Sequence, residues 1–386
     1  MTLLDYCSTD HQRAVIQLYL AEKRGEEIAR ELGLDGGSVR KVIRKVKENA
    51  AKRGYAPDND MKHPVAPGFH VKGVSTFYNM ETGEPTRQWV KTDLDKENLA
   101  AMMQEVADEL SKSIKPLPAI PSPPENTSKL LNLYTLTDIH IGMLAWHEEG
   151  GEDWDLKIAE ETIISAFAHL IERSPGAEVG FFNQLGDGVH SDGLIPATPT
   201  SGHVLDQDGR FHKIVRAVIR IFRSVVCMML EKYPKVVVLM AQGNHDLASS
   251  VWLQEWFSVL FEDNDRVKVV VSPKPYYAYQ HGGVMLAFHH GHKSKPEKMP
   301  DVFMGEFRQM FGSTTQTYIH SGHMHHAMLK EFNSAIVEQH TTLAARDAYA
   351  SHGGYKAERA MKCITYHKDN LEIGRVVYRP TMKAEK

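Results

Sequence analysis

The stretch KVVVLMAQGNHDLASS, Lys235 to Ser250, carries a short aliphatic run directly into a cluster of polar groups. Val236 to Leu239 are apolar at every position, so a strand here is greasy on both faces. Such a strand belongs inside a parallel or mixed sheet covered by helices. In open α/β sheets, functional groups gather at the carboxyl ends of the strands. Gly243-Asn244-His245-Asp246 stands at that end, which raises the question of what else in the chain converges there.

Composition sets the frame. A chain of 386 residues has room for two or three domains and at least one large core. Its 42% hydrophobic and 24% charged content is that of an ordinary globular protein, and a net charge of −4 points to no particular partner. Cys7, Cys227 and Cys363 are scattered without a CxxC pair, which argues against a disulfide framework or a cysteine zinc site. The N-terminus, MTLLDYCSTDHQ, is acidic where a secretory signal needs basic residues, and no apolar run reaches membrane-spanning length. The expectation is a cytoplasmic protein with no membrane partner. The 21 histidines crowd into the second half.

The clearest boundary is KPLPAIPSPPENTSK, residues 115–129, whose five prolines exclude a helix and favour an extended linker. Upstream, residues 1–60 read as a small three-helix domain: DHQRAVIQLYLAEKR, GEEIARELGL and GGSVRKVIRKVKENAAKR. Residues 61–114 read as a connecting unit, with a β-hairpin over 70–92 turning at Glu81-Thr82-Gly83 and an amphipathic helix over 93–110. Residues 130–386 alternate strands with helices, the pattern of a layered α/β domain. Strands are expected at 130–136, 177–185, 235–240, 266–271 and 283–288, with later ones in TYIHS, AIVEQHT, AMKCITYH and EIGRVVYR. Helices are expected at 155–173, 209–232 and 253–262.

Five polar clusters follow these strands: TDIH with Asp138 and His140, LGDG with Asp187, GNHD with Asn244 and His245, FHHGH with His290, and SGHMH with His323 and His325. In an extended segment, Asp-x-His and His-x-His place both side chains on one face. Aspartate, asparagine and imidazole together suit a divalent ion, Mn²⁺ first, with Fe²⁺, Zn²⁺ or Mg²⁺ as alternatives. Seven candidate ligands exceed one tetrahedral site and suit two ions sharing a carboxylate. His289, His292 and His326 adjoin these ligands and read individually as packing or surface histidines. The segment 196–210 reads as an inserted loop. Asp206-x-Asp208-Gly209 within it hints at calcium, but the acid expected at loop position 12 is Ala217.

The order D-x-H, G-D, G-N-H-D, H-G-H, G-H-x-H resembles the calcineurin-like metallophosphoesterases over roughly residues 130–345. The resemblance implies a layered β-sandwich flanked by helices and a two-metal phosphoesterase activity. It implies that Asp138, His140 and His325 hold one ion, that Asn244, His290 and His323 hold the other, and that Asp187 bridges them. His245 matches the histidine that protonates the leaving group. One departure stands out: many members place a second aspartate three positions after the G-D aspartate to orient that histidine. Here the position is His190, and the nearest carboxylate is Asp192. The G-D-x-x-D-R-G and G-N-H-E motifs of the protein-phosphatase branch are absent.

The N-terminal segment EEIARELGLDGGSVRKVIRK resembles a helix-turn-helix. Ala29 lets two helices approach, Gly33 makes the turn, and Val39 and Val42 pack inward. Arg40, Lys41, Arg44 and Lys45 are the cations expected to touch DNA phosphates, while Ser38 and Arg40 lie near the helix start where base edges are read. The combined arrangement is similar to helix-turn-helix metallophosphoesterases of tailed phages. The sequence therefore points to a DNA phosphodiesterase with a DNA-binding head. The alternatives are a phosphoesterase for a small phosphodiester or phosphomonoester, and a DNA-binding protein with a vestigial phosphoesterase fold.

Overall fold

The computed structural model describes residues 2–62, 65, 69–79, 82, 85–94, 120–124, 128–199 and 202–380. The chain divides into two units, Met1–Gln104 and Glu105–Lys386. Most of the helix expected over 93–110, most of the linker, and Glu81 and Gly83 of the expected turn lie outside the described residues. Of that expected helix, Asp93 and Leu94 are described, and they are the last residues of a strand. Among the described residues no helix is long and apolar enough to cross a membrane. All three cysteines are free.

The first unit opens with α1 (Asp10–Leu20), α2 (Gly25–Leu32) and α3 (Gly36–Lys52). Val15, Ile28, Ala29 and Val39 form one part of its core, and Ile16, Val46 and Ala50 another, with Leu3 and Tyr6. Helix α2 ends at Gly33 in the left-handed conformation (φ 66°), and Asp35 accepts the Ser38 N–H (2.8 Å) to start α3. The hairpin follows as β1 (Phe69–Tyr78) and β2 (Pro85–Leu94), paired antiparallel.

In the second unit, two sheets lie face to face. The six-stranded sheet has the order β13-β12-β3-β4-β5-β6. Its strands β3 (Leu130–Leu136), β4 (Val179–Gln184), β5 (Lys235–Met240) and β6 (Val267–Val270) run parallel, while β12 (Met361–His367) and β13 (Leu371–Tyr378) are antiparallel additions. The five-stranded sheet has the order β10-β11-β9-β8-β7. In it, β8 (Val284–Phe288), β9 (Gln316–Ser321) and β11 (Ile336–Gln339) run parallel, with β7 (Tyr277–His281) and β10 (Met328–Glu331) antiparallel at the edges.

Alternation of side chains explains the layering. Leu131, Leu133, Phe181, Val237 and Leu239 point between the sheets and meet Tyr277, Leu286, Phe288 and Tyr318. Phe182, Val236 and Val238 point the other way, onto α4 (Leu156–Arg173), α5 (Phe211–Lys232) and α6 (Leu247–Leu260). Met285, Ala287, Ile319 and Val337 cover the far side with Met299 and Phe303 of α7 (Met299–Glu306). The result is helix–sheet–sheet–helix, the layered α/β sandwich the sequence indicated. Each fully buried aliphatic side chain in it contributes about 1.5–3 kcal/mol.

Differences from the sequence reading are local. The helix expected at 253–262 begins at Leu247, directly after Asp246. Its first amides, those of Ala248 and Ser249, are received by the Asp192 carboxylate (both 2.7 Å), a contact between segments far apart in the chain. The edge strands β7 and β10 and helix α7 were not anticipated. The described part of the 115–129 segment is docked rather than free: Arg266 donates to the Ile120 (3.1 Å) and Pro121 (3.5 Å) carbonyls. Asp208, weighed as a calcium ligand, instead accepts the Leu156 N–H (2.9 Å) at the start of α4.

Candidate metal centre

The loops after β3, β4, β5, β8 and β9 all leave from carboxyl strand ends, and they are stitched together by their backbones. Asp138 N–H donates to the Gly186 carbonyl (3.1 Å) and His140 N–H to that of Asp187 (3.0 Å), so the β3 and β4 loops continue side by side. His289 N–H donates to the His320 carbonyl (3.1 Å) and Gly322 N–H to that of His290 (2.8 Å), which does the same for β8 and β9. The seam between the sheets closes through His323 N–H, which donates to Asp138 Oδ2 (2.9 Å). Two glycines make this closeness possible. A Cβ on Gly243 would lie 2.1 Å from Asp187 Oδ1, and one on Gly322 would lie 2.1 Å from Thr137 Oγ1.

The convergence brings the sequence candidates into two groups. Asp138, His140 and His325 present ligand atoms within 4.8 Å of one another, and so do Asp187, His290 and His323. Asn244 joins the second group, its Oδ1 lying 3.2 Å from His290 Nε2. Asp138 reaches both groups, its Oδ1 lying 3.3 Å from His325 Nε2 and 3.7 Å from His290 Nε2, while Asp187 Oδ2 is 3.1 Å from His290 Nε2 within its own group. Asp138, Asp187, His140 and His290 are buried. Five of these residues hold left-handed backbone: Asp138 (φ 51°), His140 (45°), Asp187 (51°), His323 (72°) and His325 (55°). Strain of this kind persists only where the surrounding structure enforces it.

The electrostatics are those of two buried carboxylates wrapped in imidazoles. Burial by itself raises the Asp138 and Asp187 acids, but the nearby imidazoles, His290 foremost, hold both below the usual carboxylate range. Burial opposes the charged form of His290, yet Asp187 and Asp138 lift its pKa to about 10. His325 is raised against burial by Asp138. Burial, then the neighbouring His245, pushes His140 well below its ordinary value, leaving the neutral imidazole that a metal requires.

These residues fit divalent ions. Asp138 Oδ1 is buried without a hydrogen-bond donor. The Nε2 atoms of His140 and His325 face each other at 3.4 Å. Carboxylate, amide and imidazole donors form a set suited to Mn²⁺, Fe²⁺ or Zn²⁺ and offer no preference among them.

His245 stands at the edge of this centre. Its N–H donates to Asp187 Oδ1 (2.8 Å), and its Nδ1 lies 2.9 Å from the His190 carbonyl oxygen. A carbonyl only accepts, so Nδ1 carries the proton and Nε2 is the free nitrogen. The carboxylate expected to orient this histidine is thus replaced by a main-chain oxygen, and Asp192 is committed to the start of α6. The His190 ring packs beside it, 5.8 Å away at 22°, and burial, then His245, lowers the His190 pKa to about 3. His289, as its sequence context suggested, is a packing residue, stacked on Tyr276 at 4.6 Å. The exposed His326 turns its Nδ1 to the Met324 carbonyl (2.9 Å). His292 lies 5.4 Å from the His290 ring.

Two features escaped the sequence reading. Asp246 is buried and gathers N–H groups from Gly188 (2.7 Å), Gly243 (2.9 Å), Asp187 and Val189 (both 3.3 Å), tying the β4 and β5 loops together. Its place in the GNHD quartet was visible, but the segment it binds lies far off in sequence. A second buried cluster, His320, Glu338 and His340, has metal-like spacing. Glu338 in it is already met by Lys362 (2.7 Å) and Arg375 (2.9 Å), and the two imidazoles bond each other (2.9 Å), so it is a closed polar network.

In the first unit, Arg40, Lys41, Arg44 and Lys45 are exposed along α3. Arg44 lies 3.7 Å from Glu48, and Arg40 Nε donates to the Gly36 carbonyl (3.1 Å). The Ser38 hydroxyl donates to the Asp35 carboxylate that starts the helix.

No protein-family model matches the sequence, and no curated protein matches it either. Among solved structures, the chain is similar to the phosphoesterase Yfce from E. coli, at 18% identity and TM-score 0.33, over 64% of this chain and 98% of that one. It is similar to an archaeal phosphodiesterase at 11% identity and TM-score 0.33, over 64% and 99% of the respective chains. A dimetal phosphatase from Danio rerio is matched at 7% identity and TM-score 0.33, over 64% and 98%. Identities and scores this low transfer no property of those proteins to this chain.

Proposed function

We propose that the chain is a two-metal phosphoesterase that hydrolyses phosphodiester bonds of DNA. The observation carrying this reading is the pair of ligand groups, each containing a buried carboxylate, that come together at Asp138. Asp138, His140 and His325 would hold one ion and Asn244, His290 and His323 the other, with Asp187 between them. Divalent ions so placed supply charge neutralisation on the phosphoryl oxygens and a hydroxide-like nucleophile near neutral pH. The chain's own residues do the rest. Asp187 holds His245 through its main-chain N–H, and the His190 carbonyl fixes the ring by accepting from Nδ1. That leaves Nε2 to give a proton to the departing oxygen when it carries one. The exposed cations Arg40, Lys41, Arg44 and Lys45 would draw DNA phosphates to the first unit, at a strength that falls steeply with salt.

The test uses the full chain with Mn²⁺, bis-nitrophenyl phosphate and duplex DNA. Hydrolysis of both substrates should vanish in chelator, return with Mn²⁺, and fall by about two orders of magnitude or more in Asp187→Asn. Full activity in that variant refutes the two-metal reading. If the small diester is cut but DNA is neither cut nor bound in a salt-dependent way, the substrate is a small phosphoester instead.

A further inference from the structure

The hairpin of the first unit has two unlike faces. In the register of β1 and β2, Thr76 opposes Gln88 and Val74 opposes Val90 on one face. That face is anchored: Gln88 donates to the Asp60 carbonyl (3.2 Å), and the neighbouring Tyr78 hydroxyl donates to the Asp60 carboxylate (2.9 Å). The opposite face pairs Phe77 with Arg87, Ser75 with Trp89, and Gly73 with Lys91. Trp89 is 71% exposed and Phe77 65% exposed, a costly way to place two large rings.

The residues around these rings leave them open. An aromatic on a strand is ordinarily covered by a large cross-strand neighbour. Trp89 faces Ser75 and lies beside Gly73, where a Cβ would meet nothing within 4 Å. Phe77 stands on the diagonal from Trp89, about 7–8 Å away by strand geometry, so a flat group can lie on either ring or enter between them. Arg87 and Lys91 flank Trp89 on the same strand and face, both exposed, and neither pairs with a carboxylate among the described residues. The nearby acid at that end, Asp93, is met by Lys72 (3.0 Å).

We infer that this face binds single-stranded nucleic acid, its bases stacking on Trp89 and Phe77 and its phosphates meeting Arg87 and Lys91. Alternating open rings and cations match a chain of alternating bases and phosphates. A duplex offers no such match, because its base faces are already stacked and only its grooves and backbone are presented. An apolar protein partner would not select the two cations. The inference depends on no catalytic step and goes beyond the proposed hydrolysis, since it assigns recognition to a segment outside both the metal centre and α3.

The experiment measures fluorescence anisotropy of labelled 20-nucleotide oligo-dT, oligo-U and a duplex of equal length, with full-length protein in chelator so that no cleavage occurs. Single strands should bind, and Trp89→Ala and Phe77→Ala should each weaken that binding about 5- to 100-fold. Trp89→Phe, which keeps a ring, should stay within about threefold of wild type. Arg87→Ala with Lys91→Ala should lower the salt slope by about 0.7 per charge removed. Duplex affinity should be unchanged in all of these, because the exposed hairpin face does not serve it. The two arms, oligo-dT and oligo-U, decide whether DNA or RNA is preferred. Wild-type affinity in the Trp89→Ala/Phe77→Ala double variant overturns the inference, as does equal loss of duplex binding. So does a concentration-dependent dimer that the double variant abolishes, which would make the face a self-association surface. Hydrolysis of bis-nitrophenyl phosphate by the same variants, assayed separately with Mn²⁺, should remain at wild-type rate, so failure here and failure of the catalytic reading are distinguishable.

Discussion

Replacing Asp246 by alanine should loosen the metal centre without removing any candidate ligand. The carboxylate receives two N–H groups at ordinary distance, from Gly188 (2.7 Å) and Gly243 (2.9 Å), and two longer ones at 3.3 Å from Asp187 and Val189. Burial, with Asp187 nearby, pushes the Asp246 acid up to about 7, so its bonds range between neutral and charge-assisted in character. At about 1–3 kcal/mol for each ordinary bond, the loss comes to about 2–6 kcal/mol, counting nothing for the two long ones. The loops carrying Asp187 and Asn244 then lose their shared acceptor. The assay is urea unfolding of the full chain, followed through the transition of the second unit, alongside hydrolysis of bis-nitrophenyl phosphate with Mn²⁺. The midpoint should fall and activity should drop more than tenfold, while Asp246→Asn, which keeps one acceptor oxygen, should lie between. An unfolding free energy within about 1 kcal/mol of wild type, with activity unchanged, would show that these amides find water as readily as the carboxylate.

Two further outcomes follow from the same geometry. His245→Ala should lower kcat about 10²–10⁴-fold on substrates with alkoxide leaving groups and much less on nitrophenyl esters, with metal content unchanged by elemental analysis. An equal deficit on both would give His245 a structural role. His320 is depressed by burial and then by His340, to about 3, and His340 by burial, against the opposing pull of Glu338, to about 4. The unfolded chain protonates them near 6.5 while the folded chain resists, so their contribution is complete above that pH and is lost as pH falls toward 4 and then 3. Thermal unfolding between pH 7 and 4.5 should therefore show a slope that is shallower in His340→Gln; an identical slope would contradict the buried-neutral assignment.

Much of this was legible because chemistry and punctuation coincide in the second unit. Each apolar run leads within a few residues into a glycine or an aspartate, so strand ends and candidate ligands announced one another in TDIH, LGDG and GNHD. The start of α6 was missed because the Asp192 carboxylate that receives its first amides comes from a distant loop. The orienting partner of His245 was missed for a different reason. Every residue has a carbonyl, so no side-chain pattern reports that His190 supplies one there. Edge strands β7 and β10 carry mixed polar and apolar residues and pair on one side only, which leaves little periodic signal.

The left-handed backbone at Asp138, His140, Asp187, His323 and His325 has an evolutionary consequence. Glycine would sit at ease at each of these five positions, yet glycine there deletes a candidate ligand. Backbone comfort and chemistry therefore pull in opposite directions at the same residues. At about 1–2 kcal/mol for each strained position, the five together approach the whole net stability of an ordinary domain. Under the proposed function, drift toward a more stable protein is drift toward an inactive one, and the substitutions that would most readily rescue a damaged fold are among those that selection for that function would refuse. The interlocked core of the two sheets carries that standing conflict, which makes a generous hydrophobic interior a condition of keeping the site at all.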